Sequence, residues 1–179
     1  MALSQRSSRA VRARRVVVSV VALCVASSAT PAFAAVNTYL SLSGINGPSQ
    51  SFPGAIDILS FSVGVSSPVP ATRLKASCSN LSVMKFLDQT TPQLVQAVVL
   101  GQTFTSAVIT YTKPVADTQQ TYFTITLPNA MLTSDQMSGS NENPAESVSL
   151  KASTMTISFW PQKPDGSLGD PVVSTVSCP

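Results

Sequence analysis

A mainly β, single-domain fold with one helix is predicted, on three observations. Apolar and polar residues alternate through most of the chain beyond residue 35, which is the period of half-buried strands. The same segments are rich in Val, Thr and Ser, and β-branched side chains suit a pleated surface. Only one stretch, 90–101, carries helix punctuation.

In chain order, strands are expected at Thr38–Leu42, Ala55–Val65, Leu81–Phe86, Thr103–Lys113, Thr121–Leu127 and Val148–Trp160, with a terminal strand at Val172–Val176. That order implies hairpins and a closed or nearly closed sheet. Phe123, Ile125 and Leu127 share one strand face, as do Thr105, Ala107, Ile109 and Tyr111, so these two runs should pair. Along Val148–Trp160 the apolar parity switches from Val148 and Leu150 to Met155, Ile157 and Phe159. A one-residue bulge near Ala152–Thr154 would account for the switch. The helix is expected over Pro92–Leu100, with a Thr cap before Pro92 and Gly101 after the end. Leu94, Val95 and Val98 would pack on the sheet. Turn residues place loops at Gly44–Pro53, Ser66–Thr72 and Ser138–Pro144, and a tight turn at Lys163–Gly166.

The first 34 residues read as a signal peptide. Arg6, Arg9, Arg12, Arg14 and Arg15 precede the apolar run Val16–Ala26, and Ala32-Phe33-Ala34 supplies the small-x-small pattern of a cleavage site. Cleavage is expected between Ala34 and Ala35, leaving residues 35–179 as the exported domain, periplasmic or extracellular. The apolar run is about half the roughly 20 residues a spanning helix needs, so no stable membrane anchor is expected. A twin-arginine route through Arg14-Arg15 and a lipid anchor at Cys24 are weaker readings.

Five of the eleven basic residues leave with that segment, so six remain against eight acids, a net charge of −2. Arg73, Lys75, Lys85, Lys113, Lys151 and Lys163 are scattered, which argues against a nucleic-acid partner. Cys78 and Cys178 are the two remaining cysteines, and an even count in an oxidising compartment favours one disulfide. The chain has no His, which removes imidazole triads and His metal sites. No catalytic residue, metal site or cofactor is expected. The carboxylate pairs Glu142 with Glu146 and Asp165 with Asp170 are read as loop charges, not as acid–base partners. Trp160 and Tyr39, Tyr111 and Tyr122 are read as packing residues rather than a sugar-stacking platform.

Several segments, in the same order, resemble the Hcp family, the haemolysin-coregulated tube proteins of type VI secretion. They are Tyr39–Leu42 with Gly44-Ile45-Asn46-Gly47; Ile56–Ser66; Leu81–Phe86 with Asp88 and Thr91–Leu94; and Glu146–Leu150 followed by Pro161–Ser167. The resemblance covers Thr38 to Val172. It implies a small β-barrel of two antiparallel sheets with one flanking α-helix, assembled as a homohexameric ring whose channel holds or passes protein cargo or meets secretion components. By the same resemblance the loop after the second strand carries subunit contacts, with Ser66, Pro68, Val69, Pro70, Arg73 and Lys75 as candidates. Export, the two cysteines and a shortened loop depart from the family pattern. The alternative is an exported monomeric β-barrel module that binds glycan or an envelope protein.

Overall fold

A computed structural model describes residues 37–67, 77–115, 118–139 and 143–178. The signal segment, with Ala34 and Ala35, lies outside them. Among the described residues the strands are β1 (Asn37–Leu42), β2 (Ile56–Asp57), β3 (Ser60–Ser62), β4 (Val65–Ser66), β5 (Ser77–Cys78), β6 (Leu81–Phe86), β7 (Thr103–Val115), β8 (Thr118–Ser138), β9 (Ala145–Lys151), β10 (Thr154–Phe159) and β11 (Val172–Ser177). Helix α1 (Thr91–Leu100) joins β6 to β7. The fold is mainly β, antiparallel, with one described helix, as the alternation predicts.

The predicted hairpin forms, with the two apolar faces opposed: Ala107 faces Leu127, Ile109 faces Ile125 and Tyr111 faces Phe123. These residues point to one interior with Leu40, Leu42, Leu81, Val83, Leu132, Val148 and Leu150. Each fully buried Leu or Ile there contributes about 1.5–3 kcal/mol.

The architecture corrects the expectation of a closed barrel of two sheets. Nine strands form one continuous ladder, in the order β2-β1-β7-β8-β9-β6-β3, with β10 on β8 and β11 on β10. The cause is the 21-residue β8. One side of it pairs with β7; the other carries β10 opposite 123–126 and β9 opposite 131–138. Nor does the ladder close by strand pairing, since its end strands β2 and β3 pair with β1 and β6 and not with each other. They are consecutive in the chain. Between them the Ile58 N–H donates to the Thr38 carbonyl at 3.0 Å and the Leu59 N–H to the Met84 carbonyl at 2.7 Å. One extended segment therefore passes from the β1 edge to the β6 edge, and covalent continuity joins the two ends.

Three local expectations are also corrected. Val148–Trp160 is not one bulged strand: β9 ends at Lys151, β10 starts at Thr154, and the two pair with different parts of β8. The parity switch marks a change of strand. The predicted Ala55–Val65 strand is broken into β2, β3 and the start of β4. β8 runs eleven residues beyond Leu127, through Pro128 and Asn129, the latter at φ 48°, although both are residue types common in turns.

Helix α1 buries Thr91, Leu94 and Ala97, so Ala97 takes the place expected of Val95. The Thr90 hydroxyl does not cap the helix; it donates to Asp88 Oδ1 at 2.6 Å. Gly101 ends the helix at φ 60°, and the Gln102 and Gly101 amides donate to the Ala97 and Val98 carbonyls, the Schellman arrangement that left-handed glycine permits.

Candidate functional site

Of the predicted contact residues, Ser66 lies in β4 and is exposed, as is its neighbour Val65. Pro68, Val69, Pro70, Arg73 and Lys75 lie outside the described residues. β4 and β5 form a two-stranded ribbon apart from the main ladder, with only two register pairs, Val65 with Cys78 and Ser66 with Ser77. The Gly64 amide donates to Ser79 Oγ at 2.7 Å and the Ser79 amide to the Gly64 carbonyl at 2.9 Å. Cys78, in the ribbon, is disulfide-bonded to Cys178, just beyond β11.

The conspicuous polar cluster lies inside the fold. Lys85 points inward from β6 and Glu146 inward from β9, and both are buried, at 0% and 1% exposure. The two strands pair in register at these residues, and Lys85 Nζ forms an ion pair with Glu146 Oε1. The Thr91 hydroxyl, at the start of α1, donates to the same oxygen at 2.8 Å, and Asp88 Oδ1 lies 3.2 Å from Lys85 Nζ. Taking such a pair out of water is costly, and the additional donors offset part of that cost. Asp135, on β8 beside Val148, completes the group. Among the described residues no N–H or hydroxyl donates to either of its oxygens or to Glu146 Oε2. Burial, reinforced by the Glu146 carboxylate and opposed by Lys85, pushes the Asp135 carboxyl up to about 6.

Lys85, Asp88, Thr91 and Glu146 all belong to the segments that carry the family resemblance, yet their convergence is invisible in sequence, since 61 residues separate Lys85 from Glu146. Asp135 belongs to no motif in the sequence. The one signal available was its place in an apolar–polar alternation that nothing in the sequence extended past Leu127.

The opposite face of the same four strands is neutral. Ser60 and Ser62 of β3, Ser82, Met84 and Phe86 of β6, Ala145, Ser147 and Ser149 of β9, and Ser134, Gln136 and Ser138 of β8 alternate with the inward residues and are half-buried or exposed. Registers Ser62–Ser82, Ser82–Ser149 and Ser149–Ser134 carry serine across all four strands. Lys151 stands at one end.

Glu142 is outside the described residues, Glu146 is held by Lys85 and Thr91, and Asp165 accepts from the Ser167 amide and hydroxyl within its own turn, which holds its carboxyl below the usual range. Among the described residues no group of three or more His, Cys, Asp or Glu is placed to hold a metal ion. Tyr39 is buried under Phe52, their rings stacked at 5.0 Å. Tyr111 packs edge-on against Phe61, Tyr122 and Phe123. These tyrosines pack, as expected, and Lys113 lies over the Tyr122 ring at 5.1 Å.

Comparison with known proteins agrees with this architecture. The family model described as "Type VI secretion system effector, Hcp" matches residues 39–159. The chain is 32% identical over 101 residues to Protein hcp1 of Pseudomonas aeruginosa, covering 55% of this chain and 62% of that protein. It thus spans under two thirds of that relative's length. Among solved structures, one titled as a type six secretion system protein superposes with a TM-score of 0.71 at 22% identity, over 80% of this chain and 96% of the other. Hcp1 from Salmonella typhimurium superposes with a TM-score of 0.67 at 22% identity, over 80% and 95%. The inward Lys85 and Glu146, the single described helix after β6, and the Pro161–Ser167 turn all fall in segments that resemble this family. The chain belongs to the Hcp family of type VI secretion system proteins.

Proposed function

We propose that this chain is an exported structural subunit that assembles as a homohexameric ring, with a central channel that holds or passes protein cargo. The observation that carries the reading is family membership across 39–159, joined to a fold that spans nearly the whole of the Hcp structures it resembles. The mechanism is geometric. A sheet whose ends are joined by one continuous segment is a rigid wall, and a head-to-tail contact repeated about a closing axis makes a ring. The neutral serine face is suited to line a channel, because it offers hydrogen bonds without fixed charge that would hold a passing polypeptide. Among the described residues β11 leaves one edge unpaired, and it carries no charge in Val172–Ser177; such an edge favours association.

Removal of residues 1–34 would place the domain in the periplasm or outside the cell, and the Cys78–Cys178 bond suits an oxidising compartment. The reading involves no catalysis.

Light scattering on the oxidised domain, followed by electron-microscope class averages, tests the proposal. A closed ring of six subunits supports it. A monomer at every concentration overturns it and leaves an exported binding module for glycan or envelope protein as the reading.

A further inference from the structure

We propose that the Cys78–Cys178 disulfide is a redox latch of local reach. It fixes the neck of the 67–76 connection and the terminal strand β11 to one end of the sheet, and its reduction releases both while the rest of the sheet stays folded.

The bond joins two elements that each pair with a single neighbour among the described residues. The β4–β5 neck is held by two register pairs and the Gly64–Ser79 hydrogen bonds. Among the described residues β11 pairs with β10 alone, and its Val172 and Val173 are 69% and 55% exposed. Beyond the disulfide, the end of β11 is tied by the Cys178 amide donating to the Ser153 carbonyl at 2.7 Å. By contrast, β6, β7, β8 and β9 each have partners on both sides and fill the interior. Elements with few buried contacts and a single ladder open at lower free energy than the core.

The core itself does not depend on the bond. Cys178 is buried and Cys78 half-buried against Val63, Leu81, Leu127, Leu150 and Met155. As free thiols both remain small apolar groups that can occupy the same space. Reduction therefore removes a tether and little burial. Cys78 is the less buried of the two residues, so the bond is more accessible from its side.

The chemistry is a balanced exchange. On closing, the two thiols give two electrons and two protons to a disulfide oxidant, which leaves as a dithiol. On opening, a dithiol reductant supplies the same electrons and protons and ends as its own disulfide. The β11 edge and the loop neck are therefore ordered together only where the compartment oxidises the pair. The latch does not require a ring; where the ring reading holds, it confines assembly to that compartment.

Hydrogen exchange read by mass spectrometry over seconds, which registers local opening only, tests this on the folded protein before and after dithiothreitol, with thiols counted to confirm reduction. Uptake in peptides covering 64–66, 77–79 and 172–178 is expected to rise at least about twofold, with 103–115 and 145–151 unchanged. A rise across the whole sheet, or none at the two tethered elements, overturns the latch. The double variant Cys78→Ser, Cys178→Ser should match the reduced sample. If that variant fails to fold, the protein reduced after folding still decides the matter. Particle size measured alongside separates the two proposals. A monomeric oxidised sample rejects the ring and leaves exchange to judge the latch, whereas an oxidised ring that dissociates on reduction supports both.

Discussion

At the scale of single residues, the interior holds more negative than positive groups. Lys85 faces Glu146, Asp88 and Asp135, and burial together with the Glu146 carboxylate makes Asp135 hold its proton to higher pH than an ordinary aspartate. A carboxyl raised from 3.8 to about 6 on folding contributes stability that is fully present below pH 3.8 and lost as pH rises through 6. After allowance for solvent screening the loss is about 1–2 kcal/mol. Urea midpoints measured from pH 4 to 8 should therefore fall towards pH 8 in the parent. Asp135→Asn should flatten that slope and be the more stable protein at pH 8. An equal slope in the variant would show that another group carries the pH dependence. The residue types of this centre stand in the sequence. Their meeting does not, because contacts between β6, β8 and β9 are set by pairing across long separations.

At the scale of elements, local signals served where one residue has one physical role. Gly101 was read as the stop of α1, and it takes the left-handed conformation with nothing near its missing side chain. Gly47 is constrained differently: its amide donates to the Gly54 carbonyl at 2.9 Å, and a Cβ there would collide with the Ala55 backbone. Gly101→Ala should cost about 1–2 kcal/mol, the strain of a left-handed L-residue. Gly47→Ala should cost about 3 kcal/mol or more, because backbone must move. Thermal and urea denaturation of both variants checks the order, and a reversed order would mean the Gly44–Pro53 loop can open without loss to β1. Local signals failed where an element answers to its neighbours. β8 continues through Pro128 and Asn129 because β7 pairs with it on both sides of that point, while its other edge passes from β10 to β9. Alternation on either side of Ala152 looked like a bulge because both strands pack on one interior, though their partners differ.

At the scale of the molecule, the proposal of an exported ring joins two independent claims. The first is processing. Protein recovered from a bacterial periplasm or culture medium should begin at Ala35 by intact mass, and removal of residues 2–34 should retain it in the cytoplasm with Cys78 and Cys178 as free thiols. An intact amino terminus on exported protein overturns the signal-peptide proposal and leaves the fold untouched. The second is assembly, judged by particle size. The disulfide connects them, since it ties β5 to the end of β11 across 100 residues and can form only where thiols are oxidised.

Much about this protein was settled by sequence alone: a mainly β fold, one helix with its Gly101 stop, the pairing of the β7–β8 hairpin through its apolar faces, and Hcp-like segments in order. Each rests on neighbours in the chain or on strict two-residue alternation, both of which are local. Tertiary structure alone decided that the ladder is continuous through β8, that Ile58 and Leu59 carry the chain between its two ends, and that Lys85, Glu146 and Asp135 share one buried site. Those outcomes depend on which strands meet, and pairing between distant segments is chosen by the whole sheet's burial.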